Sequence, residues 1–431
     1  MFKTVSNIWR VEDLRRKILF TLMILIVYRI GSFVPVPGVD TSVFATANQG
    51  TELFGLLNTF SGGALFKFSI FALGIMPYIT ASIIVQLLTM DVIPKFAEWA
   101  KEGEVGKRKL AQVTRYGTVI LGLIQAFGTA IGFNRLYGME LVPNATYADF
   151  ILIAIVLTAG TAFLMWLGEQ ITEKGIGNGI SIIIFAGIVA GIPMHIRDIV
   201  QDQFVEGSAL FLNIMKMIII ALFIVLIIVG VIFIQQGNRK IPVQYAKRVV
   251  GNKMYGGQNT HIPLKVNGAG VIPVIFAVSL VMFPVTIAQF WADKPWAQWI
   301  INHMSVDKSL GMVLYVLLII GFTFFYTFVQ LNPQQMADQM KKNGGYIPGI
   351  RPGKATATYL TRVMTRITLA GALFLALVSI IPVFFGSLAG LPRSVQIGGT
   401  SLLIVVGVAL DTMKQIESQL IKRHYKGFIN K

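Results

Sequence analysis

Cysteine is missing from all 431 residues, which excludes disulfides, iron–sulfur clusters, thiolate zinc sites and cysteine nucleophiles. Charge is nearly as scarce: 13% of the chain is charged against 55% hydrophobic, a balance that belongs in a bilayer rather than in a soluble domain. The four histidines, His195, His261, His303 and His424, are scattered and make no His-Glu-x-x-His helix, so no metal site is expected. Gly175, Gly177 and Gly179 look like a phosphate cradle, but they have no P-loop lysine and no preceding strand; the segment reads as a flexible turn. No catalytic residue and no cofactor is assigned. Carboxylates are almost absent from deep positions: Glu169 and Glu173 flank a short loop and Asp411 closes an apolar run. An ion-coupled transporter usually shows ionisable groups inside its spans, so this scarcity weighs against one. The deep polar groups are neutral, with Thr80, Gln86, Gln125 and Asn178 expected to join helices by hydrogen bonds.

What the chain does have is long apolar runs. A helix needs about 20 apolar residues to cross the roughly 30 Å hydrocarbon layer. Ten runs approach or meet that length: 18–36, 68–93, 116–137, 149–168, 179–196, 210–234, 269–290, 310–331, 367–386 and 397–413. The stretch 53–66 is too short to cross and carries Asn58, Ser61, Gly62 and Gly63. It is expected as a re-entrant half-helix, tolerated at membrane depth only where protein encloses it or it lines a cavity. The first run follows Arg15, Arg16 and Lys17 without a small-residue cleavage site, so it is expected to remain in the mature chain.

Of the 37 lysines and arginines, 29 lie before the first run, in the loops after the second, fourth, sixth and eighth runs, or at the C-terminus; 6 lie in the opposite loops. Basic residues are retained on the cytoplasmic side, so both termini are expected inside. The remaining two, Arg29 and Lys216, fall within runs and are read as snorkelling or pairing at helix ends, with no function assigned. Ten spans divide into five and five, and an odd number per half inverts the second half relative to the first. One internal echo accompanies this: Gly74-Ile-Met-Pro in the second run and Gly270-Val-Ile-Pro in the seventh. Paired interruptions of this kind mark a functional midplane in inverted-repeat proteins, although Gly and Pro are also common in membrane helices at large. The expected division is 1–196 for the first half, 197–268 for the sixth span with the first long loop, and 269–431 for the remainder.

The two long basic loops, 235–268 and 332–366, are longer than connectors require. The first carries Arg239, Lys240, Lys247, Arg248, Lys253 and Lys265 with no acidic residue; the second carries Lys341, Lys342, Arg351, Lys354, Arg362 and Arg366 against Asp338 alone. They suit docking of an acidic partner, either protein or ribosomal RNA, or contact with anionic lipid. Nothing points to specific DNA.

At this point a family resemblance is evident. Ser61-Gly-Gly-Ala-Leu, Gly74-Ile-Met-Pro-Tyr-Ile, Lys101-Glu-Gly-Glu, Thr114-Arg-Tyr-Gly, the run from Trp166 to Ser181, Pro263-Leu-Lys-Val-Asn, Ile347-Pro-Gly-Ile-Arg-Pro-Gly and Gly398-Gly-Thr-Ser-Leu-Leu-Ile-Val-Val occur in order over nearly the whole chain. They resemble the SecY/Sec61-alpha family, the channel subunits of protein translocases. External loops 35–50, 134–148, 197–209 and 291–308 resemble it less.

The resemblance implies an all-α integral membrane fold of ten helices, two inverted five-helix halves around a central pore, with a short plug. It implies a pore ring at Ile75, Ile79, Ile180, Ile184, Ile275 and Ile404, and a plug carrying Asn58, Phe60, Gly62 and Gly63. It implies a lateral gate in which Thr80 and Ile83 face Phe283, with Gln86 and Asn267 as a polar latch, and docking through Arg239, Lys240, Lys247, Arg248 and above all Arg351. The implied partners are SecE, SecG, the SecA ATPase, the ribosome, signal-bearing precursor polypeptides and anionic lipids, at the bacterial cell membrane. The competing reading is a secondary transporter with inverted repeats for a small solute.

Overall fold

The computed structural model describes residues 11–40, 58–90, 92–136, 142, 146–204, 210–245, 248–250, 253–255, 259–288, 291, 294–306, 308–388 and 393–429. In chain order the elements are α1 (Glu12–Gly31), α2 (Met76–Leu88), α3 (Pro94–Lys101), α4 (Glu104–Leu136), α5 (Tyr147–Lys174), α6 (Gly179–Phe204), α7 (Leu210–Gln236), β1 (Asn238–Tyr245), β2 (Arg248–Val250), β3 (Lys253–Tyr255), β4 (Asn259–Lys265), α8 (Ile272–Ala288), α9 (Pro295–Met304), α10 (Ser309–Gln330), α11 (Pro333–Lys342), β5 (Gly345–Tyr346), α12 (Lys354–Leu388) and α13 (Arg393–Ile429). Helices α1, α2, α4, α5, α6, α7, α8, α10, α12 and α13 fall on the ten apolar runs. Five stretches, Glu104–Phe133, Tyr147–Lys174, Met217–Gln236, Ser309–Lys342 and Lys354–Pro382, are long and apolar enough to cross a membrane by length and composition alone; Met76–Leu88, Gly179–Met194 and Ile272–Ala288 are shorter apolar helices. Outward faces are apolar too, as on α7, where Leu222 is 68% and Phe233 77% exposed. Such a surface is stable only against hydrocarbon or another apolar partner.

In the first half α4 packs on α2 and α5; in the second, α8 packs on α10, α10 on α12 and α12 on α13. The halves meet along two seams, α2 with α4 against α8, and α6 against α13. Between the seams lies the largest apolar cluster, which draws residues from both halves, among them Ile83, Ile184, Val278 and Leu403.

The second run does not form one long helix from residue 68. Residues 61–75 wind through turns, and α2 starts only at Met76. The cause is Gly74, whose φ of 58° interrupts helical propagation, followed by Pro77 in the first turn, where its missing N–H costs no intrahelical bond. The seventh run repeats the device: Gly270 has φ of 66°, α8 starts two residues later, and Pro273 is its second residue. Each Gly-x-x-Pro therefore sets a helix start rather than interrupting a helix. The non-helical backbone before α2 is enclosed by protein, with Val36 and Phe68 paired through Val36 N–H to the Phe68 carbonyl at 2.9 Å, and with Leu65, Phe68 and Ala72 packed against Ala126, Phe133 and Leu157 of α4 and α5. That enclosure is what irregular backbone in a membrane requires.

The two basic loops are not independent arms. Strand β1 pairs antiparallel with β4, with Arg239 opposite Leu264, and also with β5, with Gln244 opposite Tyr346, so loops 235–268 and 332–366 share one sheet. Ile241 and Val243 alternate inward and pack with Leu264, Met340, Ile347, Leu360 and Met364. Alternating burial of this kind fixes the register of the sheet.

Candidate functional site

The six isoleucines come together. Ile75, Ile79, Ile184, Ile275 and Ile404 are buried, Ile180 is half-buried, and all six belong to or pack on one apolar cluster. They arrive from α2 and the turn before it, α6, α8 and α13, so both halves contribute. The spacings Ile75/Ile79 and Ile180/Ile184 put each pair on one face. A cavity of about 810 Å³ opens beside them. Its lining combines aliphatic Ile79, Ile180, Ile184 and Ile275 with charged Glu104, Arg115, Glu169 and Glu173. Ile75 and Ile404 do not line it. Arg115 Nε donates to Glu169 Oε1 at 2.8 Å, which ties α4 to α5 at the cavity.

The segment expected as a half-helix is helical only at 58–60 within its described part, and 53–57 lie outside the described residues. It turns at Gly62 and Gly63, with φ of 69° and 84°. Asn58 knits that turn: its Oδ1 accepts from Phe66 N–H at 3.0 Å and its carbonyl accepts from Gly63 N–H at 2.8 Å. Phe60 and Ala64 belong to the same apolar cluster as the isoleucines.

At the α2/α8 seam Thr80 and Ile83 are both 1% exposed, and Thr80 returns its hydroxyl to the Met76 carbonyl at 3.1 Å. Phe283 sits half-buried on α8. Ser279 of α8 meets α2 at the seam: its hydroxyl donates to the Ile275 carbonyl at 2.8 Å within α8, and its Oγ lies 3.7 Å from Met76 Sδ. The expected latch between Gln86 and Asn267 is not the pairing found. The Gln86 side chain lies instead beside the Tyr326 hydroxyl of α10. Asn267 is occupied locally, donating from Nδ2 to the Gly270 carbonyl at 2.9 Å across the turn that Gly270 makes. Its Oδ1 is buried without a hydrogen-bond partner among the described residues. Tyr326 was missed because it is one hydroxyl in an aromatic run, Phe322 to Phe328, that reads as packing. Its ring lines the cavity and meets Phe276 edge-on at 5.8 Å.

Asn178 was expected to be buried, but it is exposed on the cavity wall and caps α6, with Oδ1 accepting from Ile180 N–H at 3.1 Å. The turn it belongs to is pinned rather than flexible. Ile176 N–H donates to Thr21 Oγ1 of α1 at 3.2 Å, and Gly179 N–H to Thr172 Oγ1 at 2.9 Å. Of the basic positions, Arg239 and Lys240 are exposed on β1 and Arg351 is exposed between β5 and α12. Lys247 lies outside the described residues, and Arg248 lies in β2 with its side chain undescribed.

Comparison with known proteins fits this architecture. A SecY family profile matches residues 69–413. The protein translocase subunit SecY of Halalkalibacterium halodurans is 65% identical over 431 residues, covering 100% of each chain. Two solved structures share the fold. One is a SecY channel whose plug domain is described as stabilising the closed state and maintaining a membrane seal, at 20% identity and TM-score 0.62, covering 94% of this chain and 92% of that one. The other is Sec61 in the canine ribosome–channel complex from the endoplasmic reticulum, at 18% identity and TM-score 0.61, with the same coverage. With a relative of that identity over its full length and a profile spanning most of its residues, the chain belongs to the SecY family.

Proposed function

We propose that this chain forms the gated conduit of a protein translocase in the bacterial cytoplasmic membrane, passing unfolded precursors across it and releasing apolar segments sideways into lipid. The observation that carries the reading is the meeting of isoleucines from both halves in one buried apolar cluster beside a partly polar cavity of about 810 Å³. Branched aliphatic side chains conform around a varied polypeptide without binding it, and they offer an ion no ligands. An apolar constriction that dewets blocks ions when no chain is present. Phe60 and Ala64, in the same cluster, suit a plug that closes this point at rest.

The α2/α8 seam is the proposed lateral gate. The polar groups that meet across it are few and neutral, Gln86 beside Tyr326 and Ser279 beside Met76, and neutral contacts between membrane helices are worth no more than about 2 kcal/mol each. An apolar signal helix outcompetes contacts of that size. The basic sheet joining the two loops faces the cytoplasm in this reading, consistent with the bias of lysine and arginine, and docks the SecA ATPase or the ribosome through Arg239, Lys240, Lys247, Arg248 and Arg351. Nucleotide hydrolysis belongs to SecA; SecE and SecG complete the assembly, and anionic lipid meets the remaining basic surface. The test is protease protection of a secretory precursor in vesicles holding this chain with SecE, SecA and ATP. Protection that requires ATP and this chain is expected. Uptake of a small solute by the chain alone, without protection of precursor, would replace the reading with a transporter.

A further inference from the structure

Arg29 stands in the last turn of α1, inside an apolar run, where an ionisable side chain is costly and asks for a named partner. The partner is the backbone just after the helical turn at 58–60. Arg29 Nη1 donates to the Gly62 carbonyl at 2.8 Å, and its neighbour Tyr28 donates from its hydroxyl to the Ser61 carbonyl at 3.1 Å. Two consecutive side chains of α1 thus hold two consecutive carbonyls. Neither donor is loosely placed. Tyr28 is 2% exposed and its ring stacks on Phe71 at 6.1 Å, while the Arg29 guanidinium carbon lies 4.8 Å from the Phe33 ring centroid, with Lys67 Nζ 3.4 Å from that same centroid.

The third side of the contact is α6. A Cβ on Gly62 would lie 2.9 Å from the Gly187 Cα and 3.0 Å from the Tyr28 hydroxyl; a Cβ on Gly187 would lie 3.0 Å from the Phe60 carbonyl. Glycine at both places lets the turn sit close enough for the two bonds to form. We infer that Tyr28 and Arg29 form a hook on α1 that retains the 58–64 segment, so that its departure leaves a buried hydroxyl and a guanidinium without partners. Two carbonyls of a left-handed turn, which have no helical donors, find theirs on another helix. The hook sets how readily the segment leaves, and it rests on the plug reading above; Tyr28 and Arg29 act through the segment they hold, as positioning residues.

The test uses the absence of native cysteine. Ala64→Cys places a single thiol at a site that is 0% exposed, read by a membrane-impermeant maleimide in vesicles holding the chain with SecE and SecG. Arg29→Leu removes a charge from an apolar run, which favours insertion; Tyr28→Phe removes one oxygen and keeps the ring. Each is expected to raise the resting labelling rate, and both together by about tenfold, the order expected for losing one or two hydrogen bonds. A control thiol from Ala376→Cys, buried on α12, should label no faster in the same variants. Unchanged Ala64→Cys labelling in both variants, with labelling that still rises when a precursor engages, overturns the hook and leaves the plug. Equal rises at both thiols overturn it in favour of general loosening. No labelling even with an engaged precursor removes the plug reading and the hook with it.

Discussion

Gln86 on α2 lies beside the Tyr326 hydroxyl on α10 across the seam between the two halves, although 240 residues of chain separate them. The contact joins the first half to the second at the place where α2 already meets α8. Tyr326→Phe deletes it and leaves the edge-on packing against Phe276 in place. If the α2/α8 seam is the gate proposed above, losing this contact costs its closed state up to about 2 kcal/mol. Export of a precursor with a shortened apolar signal core should rise about threefold or more, with little change for a strong signal. Identical rates for the weak signal would remove Tyr326 from the gate.

Arg351 is exposed in the loop between α12 and β5, the strand through which the second basic loop joins the first in one sheet. Reversing its charge should disrupt docking without disturbing the fold, because the apolar anchors below it are Ile347 and Leu360. Arg351→Glu is expected to abolish SecA-driven export while the chain still inserts in normal amount. Normal export by that variant would place docking elsewhere on the basic surface.

Ile241 is 1% exposed in β1, against Leu264 and Met340. Ile241→Ala removes buried aliphatic volume, at a cost of roughly 2–5 kcal/mol if the gap stays open. Because β1 is the middle strand, loops 235–268 and 332–366 should both become sensitive to added protease. Cleavage confined to one of them would show that the sheet does not couple the loops.

The ring carries a separate expectation. Replacing Ile79, Ile184 and Ile404 together with glycine removes apolar lining from α2, α6 and α13. Resting vesicles should then leak chloride and potassium well above the unsubstituted chain, since a wetted constriction conducts. Unchanged conductance, with the variant inserted normally, would count against the assignment of those three residues.

The helices were legible because lipid demands long apolar runs, and α5 or α10 leaves almost no other reading of its residues. Helix starts were less so. Gly74 and Gly270 were visible as weak points, yet whether a glycine kinks a helix or begins one depends on whether protein encloses the backbone before it, as Val36 and Phe68 do here. The sheet was hidden in plain composition: inward Ile241 and Val243 alternate with Lys240 and Pro242, a period-two signal masked by the basic charge that drew attention first. Polar partnerships were the least legible. Gln86 finds Tyr326, and Arg29 finds Gly62, over distances in the chain that no local pattern encodes. The isoleucines were named through family resemblance, since a single buried isoleucine looks the same in a pore as in any helix packing.

The measurement that bears most directly on the account is a disulfide formed in a stalled precursor. A precursor carrying one cysteine is arrested in transit, and the chain carries a single cysteine at Ile184, which is 2% exposed at rest beside the cavity, or at Ile155, which is 56% exposed on the outer face of α5. The account predicts efficient cross-linking to the cysteine at Ile184 and none at Ile155. Cross-linking at Ile155 with none at Ile184 would mean that the polypeptide does not pass between the two halves.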